Sequence, residues 1–248
     1  MKIGIIGVGA IGSTLARKLA GAGHEVRVAN SRGREAVKPF ADEIGATPAD
    51  ASGAATDADM VIISIPFAKV AELPDDLLDS VEPDVPVVDT GNYYPGLRDP
   101  QIEEIEEGKP ESVWVSEQLG RPVIKAFNNI LAESLSRYGR PKESEDRIAI
   151  AVAGNDAEQK QMVMDVVDEV GFDPVDGGTL AESWRQQPLT PVYCCDYGAE
   201  KMRKGLALAE KGKAKKKRAE MRERMEALGP DPNHDEVIAM NRSLSPLG

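Results

Sequence analysis

The stretch Lys2-Ile-Gly-Ile-Ile-Gly7-Val-Gly9-Ala-Ile-Gly12-Ser-Thr-Leu15-Ala-Arg-Lys-Leu-Ala20, with Glu25-Val-Arg-Val-Ala29 soon after it, decides the fold. Lys2 to Ile6 is an isoleucine-rich run closed by glycine and reads as a buried strand. After the glycine loop comes a helical run whose apolar face is Leu15, Ala16, Leu19 and Ala20. Gly23 stops it, and Glu25 to Ala29 reads as a second strand. Strand, glycine loop, helix and strand within about thirty residues form the unit that binds a dinucleotide. In it Gly7 permits the tight turn, Gly9 lets backbone approach a pyrophosphate, and Gly12 lets the helix pack close to the strand. The pyrophosphate would sit on the N–H groups of the helix that begins near Ala10. A glycine-rich turn without a ligand is the plain alternative, and the strand-loop-helix context argues against it.

The turn after the second strand selects the cofactor. It reads Ala29-Asn30-Ser31-Arg32-Gly33-Arg34. An NAD site usually carries Asp or Glu here, to accept from the ribose hydroxyls. A neutral Asn30 does not repel a 2′-phosphate, Ser31 can donate to it, and Arg32 can pair with it or stack on adenine. An ordinary polar turn is the rival reading. Its spacing from the glycine loop favours NADP(H).

Strand and helix then keep alternating. Helices are expected over 34–44, 101–107, 112–119 and 157–170, and strands over 59–65, 85–89, 123–127, 147–153 and 172–175. The class is α/β: a Rossmann-type doubly wound parallel sheet over 1–177, with a small, mainly helical C-terminal extension over 178–248. Ligands in such sheets bind beyond the carboxyl ends of the strands. That rule selects Ser64, Ile65 and Pro66, then Thr90 to Tyr94 with Gly91 and Asn92, then Ala126, Phe127 and Asn128. They join Gly7, Val8, Gly9, Ala10, Ile11 and Gly12 as cofactor-binding candidates. His24 precedes the second strand and so lies at the opposite edge.

From Gly178 the character changes. A short helix is expected over 179–187, and the adjacent Cys194 and Cys195 read as buried packing thiols. Two adjacent cysteines and two distant histidines do not make a zinc site. Residues 198–228 read as one long helix with eleven Lys or Arg against five Glu. It should lie on the acidic body or on a partner subunit, since a long helix is not stable unsupported, and the expectation is a homodimer. Residues 229–248 read as a loose tail or arm. The whole chain has 42 Asp+Glu against 30 Lys+Arg, a net charge of −12, and no Phe, Tyr or Trp follows Tyr197. Both facts disfavour nucleic acid. The longest apolar run, Met60 to Phe67, is far too short to span a membrane. Met1 runs straight into the first strand with no signal-peptide layout, so a cytoplasmic protein is expected.

The opening glycine unit, the Asn30-Ser31-Arg32 turn and the strand end Val123-Ile-Lys-Ala-Phe-Asn128 resemble the NADP oxidoreductase family that depends on the deazaflavin coenzyme F-420. They also resemble the cytosolic NADPH domain of metalloreductases that pass electrons through flavin to metal. The likeness covers roughly residues 1 to 176. It implies an NADP-dependent oxidoreductase in which Ser31 and Arg32 hold the 2′-phosphate. Ser64–Pro66 and Ala126–Asn128 would flank the nicotinamide, and a deazaflavin or flavin would accept the hydride. The basic C-terminal run lies outside that pattern. Hydride transfer between stacked rings needs no acid or base of the protein's own, which suits a cleft without histidine. Reduction of a small carbonyl or imine is the rival activity and requires a proton donor. Lys125 and Tyr193 are its leading catalytic candidates, with Tyr94 and Asp196 beside them. A non-catalytic NADPH-binding module, with the basic run as its arm, is the third reading.

Overall fold

The computed structural model describes residues 1–247. Strand β1 (Lys2–Ile6) turns Ile3 and Ile5 to one face and Ile6 to the other, as the period of two requires. Around it β2 (Glu25–Ala29), β3 (Thr47–Pro48), β4 (Met60–Ile63), β5 (Val87–Asp89) and β6 (Ile124–Lys125) form a parallel sheet of order β3-β2-β1-β4-β5-β6. The winding reverses between β1 and β4, the switch point at which such sheets hold ligands.

Helices cover both faces. On one, α1 (Ala10–Gly21) and α2 (Arg34–Ile44) bring Leu15, Leu19, Val37 and Ala41 onto Ile3, Ile5, Val26 and Ile62. On the other, α3 (Ala51–Ala55) and the 3-10 turn Phe67–Glu72 bring Ala54, Phe67 and Val70 onto Ile6, Val61, Ile63 and Val87. Gly4 lets α3 lie against β1, because a Cβ there would stand 2.2 Å from the Ala54 carbonyl oxygen. The short α4 (Glu103–Glu106) leads into α5 (Glu111–Gln118), whose Trp114 stacks on Phe67 at 5.0 Å. After β6 come α6 (Ala132–Arg137), β7 (Ala149–Val152), α7 (Ala157–Glu169) and β8 (Asp173–Asp176). Asp156 caps α7 by accepting from the Glu158 and Gln159 amides.

The doubly wound parallel sheet holds over all six of its strands, and β7 and β8 stand beyond it as a two-stranded sheet of their own. β7 and β8 pair in parallel with each other, but Lys125 and Ala153 exchange N–H···O bonds of 2.8 and 3.0 Å in an antiparallel bridge. That single bridge is the link by which the two-stranded pair adjoins β6. Strands are also shorter than their apolar runs. The run 59–65 yields β4 over Met60–Ile63, and 123–127 yields only Ile124–Lys125 before Phe127 turns left-handed at φ +60°.

Two expectations for the C-terminal run are corrected. Residues 198–228 are three helices, α8 (Ala199–Leu208), α9 (Lys213–Lys216) and α10 (Arg218–Leu228). The breaks are Ala209, which is extended, and Gly212, left-handed at φ +81° where glycine is at ease. Nor are residues 229–247 a loose tail; Gly248 lies outside the described residues. Asn233 and Glu236 form a capping box that starts α11 (His234–Leu244), and Met240 and Leu244 bury against Leu189 beside Met221 and Met225. The basic run docks on the body through Glu106, held by Lys215 at 2.8 Å and Arg218 at 2.7 Å. These helices are supported within one chain, so the unsupported helix that argued for a homodimer is not there. Among the described residues no helix is long and apolar enough to cross a membrane.

Candidate active site

The three loop glycines differ in what surrounds them. Gly7, at φ +101°, donates its N–H to the Ala29 carbonyl at 2.8 Å, and a Cβ on it would lie 2.2 Å from the Ser64 carbonyl oxygen. A Cβ on Gly12 would lie 2.0 Å from the Gly7 carbonyl oxygen. Gly9 is the opposite case: a Cβ there would meet nothing within 4 Å. It is the extended N-cap of α1 and offers no side-chain cap. The first-turn N–H groups of a helix have no partner inside it. An uncapped twelve-residue helix thus begins beside free space that any side chain at Gly9 would fill. A pyrophosphate fits that cradle in shape and charge.

At the end of β2, Asn30 closes its own turn. Its side-chain oxygen accepts from the Arg32 amide at 2.9 Å, and its carbonyl accepts from Gly33 at 3.2 Å. Its side-chain nitrogen is buried without a hydrogen-bond partner. Ser31 and Arg32 are exposed beside this orphaned donor. A ligand rich in oxygens would satisfy it.

The strand ends meet as the switch-point rule requires. Ser64 donates to the Ile6 carbonyl at 2.8 Å and Thr90 to Ile63 at 3.2 Å, which aligns the ends of β1, β4 and β5. Asn92 and Asn128 bond each other twice, at 2.8 and 3.0 Å. Asn128 also donates to the Gln186 carbonyl at 2.8 Å, while the Gln186 amide donates to the Asn128 side chain and the Ala151 carbonyl, each at 2.9 Å. The loops after β5 and β6 and the 3-10 turn Leu180–Gln186 are therefore one network.

Lys125 lies beneath it. Its ammonium is fully buried, 2.9 Å from the Asp89 carboxylate, and also donates to the Gly91 carbonyl. Asp89 accepts in addition from Ser112 Oγ at 2.7 Å and from the Gly91 amide at 2.8 Å. Lys125 is closed off from any ligand in the cleft, and its contacts fix the Thr90–Asn92 loop instead. The Tyr193 hydroxyl bonds that of Tyr94, and burial pushes both phenols above their ordinary range, so both keep their protons at neutral pH. Asp196 turns away: it accepts from Ser134 Oγ at 2.7 Å and lies 3.2 Å from His234 Nε2. Cys194 and Cys195 are buried and free. Burial pushes both thiols up, that of Cys195 to about 12, so neither is a ready nucleophile. His24 bonds Glu169 and the chain's amino terminus, away from the strand ends.

The feature that sequence reasoning missed is a cavity of about 840 Å³ between the Tyr93–Glu111 segment, the Gln187–Thr190 turn and α9–α10. None of the Gly7–Gly12 loop lines it, but Tyr94 and Gln187 do, each a near chain neighbour of the Asn92–Asn128–Gln186 network. At its wall stands Glu111, only 5% exposed, whose carboxylate oxygen accepts from the Tyr93 amide at 3.2 Å. Burial pushes its pKa up to about 8, and the Asp89 charge acts the same way. Lys125, the Tyr93 amide and Arg218 oppose them. In the sequence Glu111 is an ordinary acidic residue at a helix start. Only tertiary burial makes it different.

The family model described as NADP oxidoreductase coenzyme F420-dependent matches residues 2–93. The protein YjhV of Escherichia coli (strain K12) is 43% identical over 125 residues, which cover 50% of this chain and 84% of YjhV. The solved structure of hypothetical protein SMa0349 from Sinorhizobium meliloti superposes with a TM-score of 0.62 at 29% identity, covering 80% of this chain and 92% of that one. A protein from Arthrobacter sp. FB24 whose structure is named for an F420-dependent NADP-reductase superposes with a TM-score of 0.59 at 22% identity. It covers 74% of this chain and 87% of its own, and the likeness shows the fold.

Proposed function

Since this chain belongs to the NADP oxidoreductase coenzyme F420-dependent family and is an NADP-dependent oxidoreductase, we propose that it moves hydride between NADP(H) and a deazaflavin or flavin ring, which meet beyond the ends of β5 and β6. The observation that carries the reading is the open space at Gly9, over an uncapped helix start at the sheet's switch point. Bound there, NADP(H) supplies a hydride at the nicotinamide ring.

The chain's own residues would bind and orient. Gly7, Val8, Gly9, Ala10, Ile11 and Gly12 present backbone to the pyrophosphate. Asn30, Ser31 and Arg32 receive the 2′-phosphate, with the orphaned Asn30 amide as one donor. Ser64, Ile65 and Pro66 face Gly91, Asn92, Ala126, Phe127 and Asn128 across the nicotinamide's place. Lys125 is a positioning residue in this reading: through Asp89 and the Gly91 carbonyl it holds the loop that carries Asn92. Rigid support of this kind keeps reacting groups at productive separation.

The reduction of a small carbonyl or imine is the second reading, favoured by the protonated Tyr94–Tyr193 pair, in which Tyr193 would serve as donor. One experiment separates the two. The purified protein is given NADPH without oxygen, and deazaflavin F-420, FMN, FAD, a ferric chelate and a panel of cyclic imines are offered in turn. Bleaching of the deazaflavin's visible band is the expected result. NADPH oxidation with imines alone would transfer the site to the second reading.

A further inference from the structure

The cavity beside the Tyr93–Glu111 segment is a space that the cofactor reading leaves unused. Its volume, about 840 Å³, is that of a small-molecule site. Tyr94, Trp184, Leu189, Met221 and Met225 give it aromatic and apolar walls. Of its lining, Tyr94 and Gln187 are near chain neighbours of Asn92 and Gln186 in the polar network, and Glu111 brings a buried carboxyl group to its wall. We propose that this cavity seats the hydride acceptor, and that Glu111 hands the acceptor the proton that accompanies the hydride. The inference rests on the reading above that the acceptor meets NADP(H) beyond the ends of β5 and β6.

The charged groups around Glu111 come from every element packed on it. Asp89 at the end of β5, Lys125 on β6 and Arg218 on α10 act on it through their charges, Tyr94 is a titratable neighbour, and the Tyr93 amide donates to it. The Asp89–Lys125 pair is internally neutralised at 2.9 Å, and Arg218 is engaged with Glu106 at 2.7 Å. Neither cation is committed to Glu111. Burial therefore wins, and the carboxyl holds its proton through neutral pH.

The step balances. The hydride that NADPH supplies adds to the ring carbon at one end of the acceptor's conjugated C=C–C=N (or C=C–C=O) system, and the π pairs shift along it until one lies on the terminal heteroatom. That pair takes the proton of Glu111, whose O–H bond breaks and leaves its electrons on the carboxylate. The acceptor gains two electrons and two hydrogens, NADPH becomes NADP⁺, and the carboxylate regains a proton from water entering the cavity. The class of acceptor follows: a conjugated C=N or C=O compound that takes hydride and proton together, such as a deazaflavin ring. A ferric chelate, which takes single electrons, has no use for this proton.

The test uses the full chain, Glu111→Gln and Glu111→Asp. Gln keeps the shape and still accepts from the Tyr93 amide, but carries no titratable proton. Infrared pH-difference spectra of carboxyl-labelled protein, with no acceptor present, should show a protonated carboxyl that ionises near the value of about 8 and is missing from Glu111→Gln. A wild-type spectrum without it overturns the proposal. With deazaflavin F-420, NADPH oxidation by wild type should fall about tenfold per pH unit above that value. Glu111→Gln should be slower by about 10²–10⁴-fold and flat with pH, with unchanged NADPH affinity, and Glu111→Asp should recover the pH dependence. Equal rates and equal profiles for wild type and Glu111→Gln overturn the role of Glu111 and leave the acceptor reading standing. A wild type that binds NADPH but reduces nothing in the panel overturns the acceptor reading, and this inference with it.

Discussion

A methyl group built on Gly9 meets nothing within 4 Å, while one built on Gly12 comes within 2.0 Å of a carbonyl oxygen. The two glycines are therefore needed for different reasons, and substitution separates them. Gly9→Val should melt like wild type and lose more than about a hundredfold in NADPH affinity, roughly 2.7 kcal/mol. Gly12→Ala should instead lower the melting temperature, at a cost of about 1–3 kcal/mol or more in strain. Thermal melts with fluorescence titrations check both, and a Gly9→Val protein that still binds NADPH would contradict the site.

Buried charge gives two more expectations at this scale. Lys125→Met strands Asp89 without its cation and should cost about 3–5 kcal/mol by urea denaturation. Adding Asp89→Asn should recover part of that loss, because the two sites share one interaction. Glu111 works in the other direction. Between its ordinary value of 4.5 and about 8, the native chain holds a proton that the unfolded chain has released. Stability therefore falls as pH rises through that window, by at most about 1.4 kcal/mol per unit. Glu111→Gln should lack this slope, so its stability relative to wild type should climb between about pH 5 and pH 8 and then level off. A difference that stays constant with pH would show Glu111 ionised in the native state.

At the scale of elements, the termini of helices were the hardest to read. Asn233 followed three residues later by Glu236 is a capping signal, yet the Pro- and Ser-rich surroundings read as tail. The box is formed, with Asn233 accepting from the Glu236 amide at 3.0 Å. Asn233→Ala should cost about 1 kcal/mol in urea denaturation, and no loss would mean α11 adds nothing to the fold. Gly212 was visible in the same way, but it sits in a run dense with eleven basic residues that read as one continuous helix. A break there is what brings α9 and α10 back over Glu106, and so creates the cavity wall.

For the whole molecule, the doubly wound sheet was legible because each strand and helix carries its own period. The glycine loop and the turn at Asn30 were legible because their residues are contiguous. The separation of β7 and β8 from the doubly wound sheet was not, since nothing local to Ala149–Val152 says whether β7 pairs along β6 or touches it at one bridge. The cavity was not legible either. Its lining comes from residues 93–111, 184–190 and 210–229, and no local pattern joins them. Lys125 looked reactive on the strand and proved to be half of a buried pair, a distinction made only by Asp89 from the neighbouring strand.

NADP(H) at the switch point, with its 2′-phosphate on the Asn30–Arg32 turn, is the centre of this account. Calorimetric titration of wild type and Arg32→Ala with NADPH and with NADH tests it most directly. Wild type should prefer NADPH, and Arg32→Ala should lose about 1.5–3 kcal/mol of NADPH affinity, the size of a charged hydrogen bond, while NADH binding stays nearly unchanged. Equal losses for the two cofactors would contradict the assignment of that turn to the 2′-phosphate.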